Sequence, residues 1–298
     1  MSKPRILVIG IGDIGYPLTL SIARLEVGTM FATRQNNTKS FGELKDCCIC
    51  GYSNIAYVKT ADIIICAVRP SQLQDVLMEI KPYLKKHQIL VSIIASKTIK
   101  FIKSIVGNDI QIVRAMPNIG ISSNKSMTLI NFDQNVEIVN QKFILDIFSH
   151  LGKVEIIPEH LMNAATIFSG SMPAIMAYLH SQCPHENDAK DYFVKFVNVT
   201  LTEVAREYGF TKAQLIITQV YHGLKHITKT EGKTYLQVID QVATHGGCTR
   251  AILDGMQNEI EMTEEIPEEE IQKEFKNYVK RNIEIGINRL NQMSSSAV

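Results

Sequence analysis

The chain has 298 residues, enough for two domains with sizeable cores. Its 31 basic and 30 acidic residues nearly cancel, so no global field favours nucleic acid or an anionic membrane surface. The first residues run straight into a strand pattern, no apolar run reaches the length of a membrane span, and the cysteines read as reduced thiols, which together predict a soluble cytoplasmic protein.

Arg5 to Gly15 reads Arg-Ile-Leu-Val-Ile-Gly-Ile-Gly-Asp-Ile-Gly. Ile6 to Ile9 suits a strand buried on both faces, and Gly10, Gly12 and Gly15 follow at G-x-G-x-x-G spacing. Gly10 permits a tight turn, Gly12 lets backbone approach a pyrophosphate, and Gly15 lets the following helix pack on the strand. The phosphates then sit at the helix N-terminus, so Gly10, Gly12, Asp13, Ile14 and Gly15 are predicted to bind a dinucleotide. Gly28 to Thr33 reads as the second strand. Its end holds Thr33-Arg34-Gln35-Asn36-Asn37 and no acid. A carboxylate there would favour NAD. Arg34 favours a 2′-phosphate, with Asn36 or Asn37 hydrogen-bonding it, so NADPH is the expected cofactor and NADH the alternative.

A third strand is predicted over Tyr52 to Lys59. Cys47, Cys48 and Cys50 lack the His pair that a zinc site would need, and Cys66 falls in an apolar run, so no metal is expected. Ile63 to Val68 is a buried strand ended by Arg69-Pro70, which places Ala67, Val68 and Pro70 along the cofactor groove. A helix is predicted from Ser71 to Leu84, with Leu73, Val76, Leu77 and Ile80 on one face. Strands follow over Ile89 to Ala95, Ile110 to Met116, Met127 to Ile130 and Val154 to Ile157. Residues 1–158 therefore read as an α/β domain with a Rossmann-type, doubly wound, mostly parallel sheet.

Residues 159–298 read as a second, all-α domain. A long apolar helix beginning at Glu159 should kink at Gly170 and Pro173, because Pro173 has no amide to donate. Met172 is expected in the core. Cys183 to Lys190 is polar and turn-like. Helices follow over about 191–208 and 211–228, with Gly209 as a C-cap and Ile216, Val220, Leu224 and Ile227 on one face. In Val242 to Arg250, two glycines before a helix present backbone N–H groups suited to a carboxylate. A last helix starts near Pro267, with an apolar stripe of Ile271, Phe275, Tyr278, Ile283 and Ile287; Ser294 to Ser296 should fray.

Several of these stretches resemble the pyrroline-5-carboxylate reductase family. The matches are the Gly-rich loop, Ala67-Val68-Arg69-Pro70, Arg114-Ala115-Met116-Pro117-Asn118, Ser169-Gly170-Ser171-Met172-Pro173-Ala174 and Thr244-His245-Gly246-Gly247-Cys248-Thr249, running from about residue 5 to about 259. The resemblance implies hydride transfer from NADPH to the imine carbon of 1-pyrroline-5-carboxylate, giving proline. It implies that Thr244, Gly246, Gly247 and Cys248 bind the substrate carboxylate, that Thr249 serves the ring nitrogen, and that Ala95 and Asn118 border the nicotinamide. It also implies a homodimer of interlocking helical domains. Met172, His245, Cys248 and the insertion at 183–190 depart from the family pattern, which leaves two alternatives: a reductase of a related cyclic imine, or a non-catalytic nucleotide-binding paralogue.

Overall fold

The structure, a computed structural model, describes residues 3–35, 40–182, 187–258 and 268–295. Asn36, Asn37, Cys183, His185, Pro267 and Ser296, which carried sequence expectations, lie outside the described residues. The chain folds as two compact units, Met1–Pro117 with Thr128–Met162, and Asn118–Met127 with Asn163–Val298.

The first unit is built on one sheet of eight strands. They are β1 (Arg5–Ile9), β2 (Thr29–Thr33), β3 (Ile49–Gly51), β4 (Ile63–Cys66), β5 (Ile89–Ser92), β6 (Gln111–Met116), β7 (Ser126–Phe132) and β8 (Gly152–Ile156). The sheet order is β3-β2-β1-β4-β5-β6-β7-β8. Val8 of β1 stands beside Ala32 of β2 on one side and Ile65 of β4 on the other, all parallel. Ile6 to Ile9 and Ile63 to Cys66 are buried along their whole length, as a parallel sheet covered on both faces requires. The covering helices are α1 (Gly15–Ala23), α2 (Leu44–Cys47), α3 (Asn54–Val58), α4 (Leu73–Ile80), α5 (Ile99–Val106) and α6 (Ile138–His150).

Two details differ from the sequence reading and a third specifies it. Tyr52 to Lys59 is not a strand: β3 ends at Gly51, and the Ser53 hydroxyl then accepts from the Ala56 amide at 3.4 Å and starts α3. Helical spacing lets Tyr57 stack on Phe31, ring centroids 5.0 Å apart, and buries Val58. The helix predicted over 71–84 is α4 with a 3-10 turn at each end, because Pro70 and Pro82 cannot donate within it. Finally, β6 and β7 run antiparallel. Only the 3-10 turn Ile119–Ser123 joins them, too short for a crossover.

The second unit is helical: α7 (Met162–Ala165) leads into it, followed by a π-helical turn (Thr166–Ser171), α8 (Met172–Ser181), α9 (Asn187–Glu207), α10 (Ala213–Lys229), α11 (Tyr235–Val242), α12 (Cys248–Asn258) and α13 (Glu268–Ser295). The expected kink takes the form of the π turn, which widens the helix ahead of Pro173. Met172 is fully buried. Gly209 has φ +96° and its amide donates to the Arg206 carbonyl, closing α9 as expected. Residues 118–127 join this unit rather than the sheet's, so the division is not a single cut near 158. The Gln219 amide donates to the Lys125 carbonyl at 3.0 Å, and a Cβ on Gly223 would stand 3.0 Å from that same oxygen.

The buried line of α13 keeps Tyr278 and Ile283 of the predicted stripe and adds Val279, Asn282, Gly286 and Leu290, whereas Phe275 and Ile287 are half-buried and Ile271 is 43% exposed. The cause is close packing on α12. A Cβ on Gly286 would meet Ile252 Cδ1 at 2.4 Å, and one on Gly255 would meet Asn282 Oδ1 at 2.4 Å. Gly286→Val should therefore lower the unfolding free energy by about 1–3 kcal/mol in urea titration, the cost of overpacking a filled seam. Unchanged stability would mean that α12 and α13 do not approach this closely.

Candidate active site

In the first unit the sheet order reverses between β1 and β4, and their carboxyl ends open into a groove of about 860 Å³. Crevices at such switch points hold the ligands of open α/β sheets. Gly10 has φ +99°, and a Cβ there would lie 2.8 Å from the Ala67 carbonyl group. A Cβ on Gly15 would lie 1.9 Å from the Gly10 carbonyl oxygen. Gly12, by contrast, has nothing within 4 Å of its Cβ position. Two of the glycines thus bring strand, loop and helix together, and the third faces open space where a phosphate would lie. The start of α1 carries no acidic residue and no side-chain cap, so its positive end is left for an anion.

Arg34 is held over this loop. Its Nη2 donates to the Ile11 carbonyl and its Nη1 to the Ser40 carbonyl, both at 3.0 Å, and the guanidinium lies 4.8 Å from the Phe41 ring centroid. Its Nε is buried with no hydrogen-bond partner among the described residues. Beside it, the Thr33 hydroxyl donates to Asn54 Oδ1 at 2.7 Å, and Asn54 Nδ2 donates to Glu79 Oε2 at 2.9 Å. This chain of bonds fixes an amide and a carboxylate on the wall of the groove. Among the predicted cofactor residues, Gly10, Gly12, Arg34, Ala67 and Val68 line the groove. Asp13, Ile14, Gly15, Pro70 and Ala95 belong to the same unit but not to that lining. Asn118 falls in the helical unit, where its Oδ1 accepts from the Gly120 amide at 3.0 Å and its backbone N–H donates to Ser126 Oγ at 3.1 Å. Tyr52, Asn54, Gln72 and Glu79 were not foreseen as lining residues. The available signal was Ser53, a cap that ends the strand and turns Asn54 towards the groove.

In the second unit the loop between α11 and α12 makes a tight turn. Gly246 has φ +71°, and a Cβ on Gly247 would stand 2.6 Å from Thr244 Oγ1. The Gly247 amide donates to the Thr244 carbonyl at 3.0 Å, so it closes the turn itself. The donors left for an anion are those of the first turn of α12, beginning at Cys248. Thr244 and His245 are exposed. Thr249 is buried, and its hydroxyl shares a hydrogen bond of 2.7 Å with that of Ser171. Ser171 comes from the π turn, a geometry that recurs at functional sites; the sequence marks its stretch as a kink and as one of the motifs that carry the resemblance, but not Ser171 as a partner of Thr249. Burial pushes the Cys248 thiol up, so it is neutral at ordinary pH and no nucleophile.

Among the described residues no group of three or more His, Cys, Asp or Glu side chains is placed to hold a metal ion, and no helix is long and apolar enough to cross a membrane.

Residues 5–96 match the family model described as NADP oxidoreductase coenzyme F420-dependent. The pyrroline-5-carboxylate reductase of Glycine max is 24% identical over 206 residues, 69% of each chain. That of Escherichia coli (strain K12) is 37% identical over 114 residues, a stretch spanning 38% of this chain and 42% of the relative. A solved structure, Plasmodium falciparum pyrroline carboxylate reductase with NADP bound, is 23% identical with a TM-score of 0.60 and covers 99% of both chains, a likeness of fold.

The open space at Gly12 and the crowding at Gly15 predict different outcomes for alanine. Gly12→Ala should leave thermal stability unchanged and weaken dinucleotide binding at least about tenfold in a fluorescence titration, because the methyl group takes the phosphate's place. Gly15→Ala should lower both. Equal behaviour of the two variants would contradict this division of roles.

Proposed function

We propose that the chain is a member of the pyrroline-5-carboxylate reductase family of NAD(P)H-dependent oxidoreductases, and that it reduces 1-pyrroline-5-carboxylate to proline with NADPH. The observation that carries the reading is the buried Thr249 hydroxyl, hydrogen-bonded to Ser171 directly after the Gly246–Gly247 turn. The bound cofactor supplies a hydride at its C4 position. Reduction would deliver that hydride to the imine carbon while the imine nitrogen gains one proton from solvent, giving the amine and NADP+. A protonated imine is already electrophilic, so the protein needs no nucleophile and contributes proximity and charge complementarity.

Gly10, Gly12 and the start of α1 would hold the pyrophosphate, and the guanidinium of Arg34, which lines the groove, would pair with the 2′-phosphate. The first-turn amides of α12 receive the substrate carboxylate, with Thr244, Gly246, Gly247 and Cys248 shaping the turn that presents them. Thr249 accepts from or donates to the ring nitrogen while Ser171 holds its remaining hydrogen bond. Ala95 and Asn118 border the nicotinamide. The protein acts in the cytoplasm as a homodimer of its helical units, which is supported by apolar side chains such as Tyr192 and Leu236 that are 74% and 71% exposed. The exposed His245 and the buried Cys248 stand where the family carries Pro and Thr, which favours a related cyclic imine as the second reading.

Following NADPH absorbance with pyrroline-5-carboxylate tests the proposal. Rapid oxidation is expected, with NADH used at least about tenfold less efficiently, and Arg34→Ser should remove that preference through the KM for NADPH. Thr249→Val should cut turnover by about 10–100-fold, the cost of one lost hydrogen bond at the reacting ring. Unchanged turnover in Thr249→Val would remove it from the site, and tight NADPH binding without oxidation would send the search to other imines.

A further inference from the structure

We propose that Arg289 of α13 is a positioning residue for the substrate loop, holding the Thr244–Gly247 turn in the shape that receives a carboxylate. The inference rests on the reading of the reaction given above. Arg289 Nε donates to the Gly246 carbonyl at 3.0 Å, across 43 residues of chain. The Gly247 amide belongs to the same peptide unit and donates to the Thr244 carbonyl at 3.0 Å. A peptide unit is planar and its carbonyl and amide point in opposite directions, so this one is tied at both ends. One tie is internal to the turn and the other comes from Arg289. Without the outer tie, Gly246, at φ +71°, regains the conformational freedom that glycine has and other residues lack.

The guanidinium also covers the glycine. Arg289 Nη2 lies 3.8 Å from the Cβ position of Gly246, the one contact within 4 Å there among the described residues. A guanidinium is therefore fixed beside a turn that opens into the positive end of α12, and both favour an anion. The placement of Arg289 is itself determined. It lies one helical turn beyond Gly286, whose contact with Ile252 sets the register of α13 on α12. On the other side, Asn163 Nδ2 donates to Asn291 Oδ1 at 3.1 Å. Arg289 touches no reacting atom; it acts through the loop.

The test compares the wild type with Arg289→Gln and Arg289→Lys in steady-state kinetics, with L-proline as product inhibitor. In Arg289→Gln the KM for the imino acid and the inhibition constant for L-proline should rise together by about tenfold, the loss of one charge-assisted contact. The KM for NADPH and kcat should stay close to wild type. Arg289→Lys keeps the charge and should recover part of the carboxylate affinity. A merely structural role would instead lower kcat and the melting temperature and spare the ratio between the two ligands, and that result overturns the proposal. So does a wild-type KM in both variants. If Arg289→Gln does not fold, Arg289→Lys alone decides: unchanged KM and unchanged L-proline inhibition sink the proposal. Wild-type enzyme that turns over the imino acid while the variants behave identically to it leaves the reaction standing and removes only Arg289. A wild type inert towards every imine removes the reaction and this proposal with it.

Discussion

The close approach of Gly15 to the Gly10 carbonyl is the constraint from which the first unit follows. With a Cβ position 1.9 Å from that oxygen, only glycine lets α1 start where β1 ends. That start aims an uncapped helix terminus at the groove, and Gly12 keeps the space between them clear. The Ala67 carbonyl presses on Gly10 from β4's side, so the two strands flanking the sheet's reversal are fitted to one loop. Arg34 then reaches back from the end of β2 to the Ile11 carbonyl, which makes the loop and its cation one rigid object.

Glycine does similar work in the second unit, through helix packing rather than loop geometry. Gly255 and Gly286 bring α12 and α13 closer than any larger residue allows. Through them α13 is set in register, and Arg289 meets the turn at Gly246. The same helix α12 begins with Cys248 and Thr249, both buried against Ser171 of the π turn. Loop shape, helix packing and the buried Ser171–Thr249 hydroxyl pair are thus parts of a single arrangement.

How much of this was legible in sequence depended on the range of the interaction. Strands such as Ile63–Cys66 announce themselves because burial on both faces leaves an unbroken apolar run. The glycine loop is legible because three backbone constraints fall within six residues. Tyr52 to Lys59 misled because a short apolar run fits strand or helix equally, and only the Ser53 cap decides. Asn54 and Glu79 meet through a hydrogen bond between distant elements, and Ser171 meets Thr249 across 78 residues; periodicity carries no trace of such pairs. A mostly parallel sheet was legible, but not which strand turns antiparallel, since nothing in β7 itself reports the length of its connection. On α13 the apolar pattern finds Tyr278 and Ile283 and misses the rest of the seam, which uses Asn282 and Gly286, residues that such a pattern passes over.

The central claim is direct transfer of a hydride from the cofactor to an imine carbon, and isotopic labelling tests it most directly. Turnover with NADPH deuterated at the transferred C4 position, followed by NMR of the product, should place one deuterium on the proline ring carbon that was the imine carbon. Proline formed without the label, or labelled NADPH that binds and is never oxidised by the imine, would contradict the account.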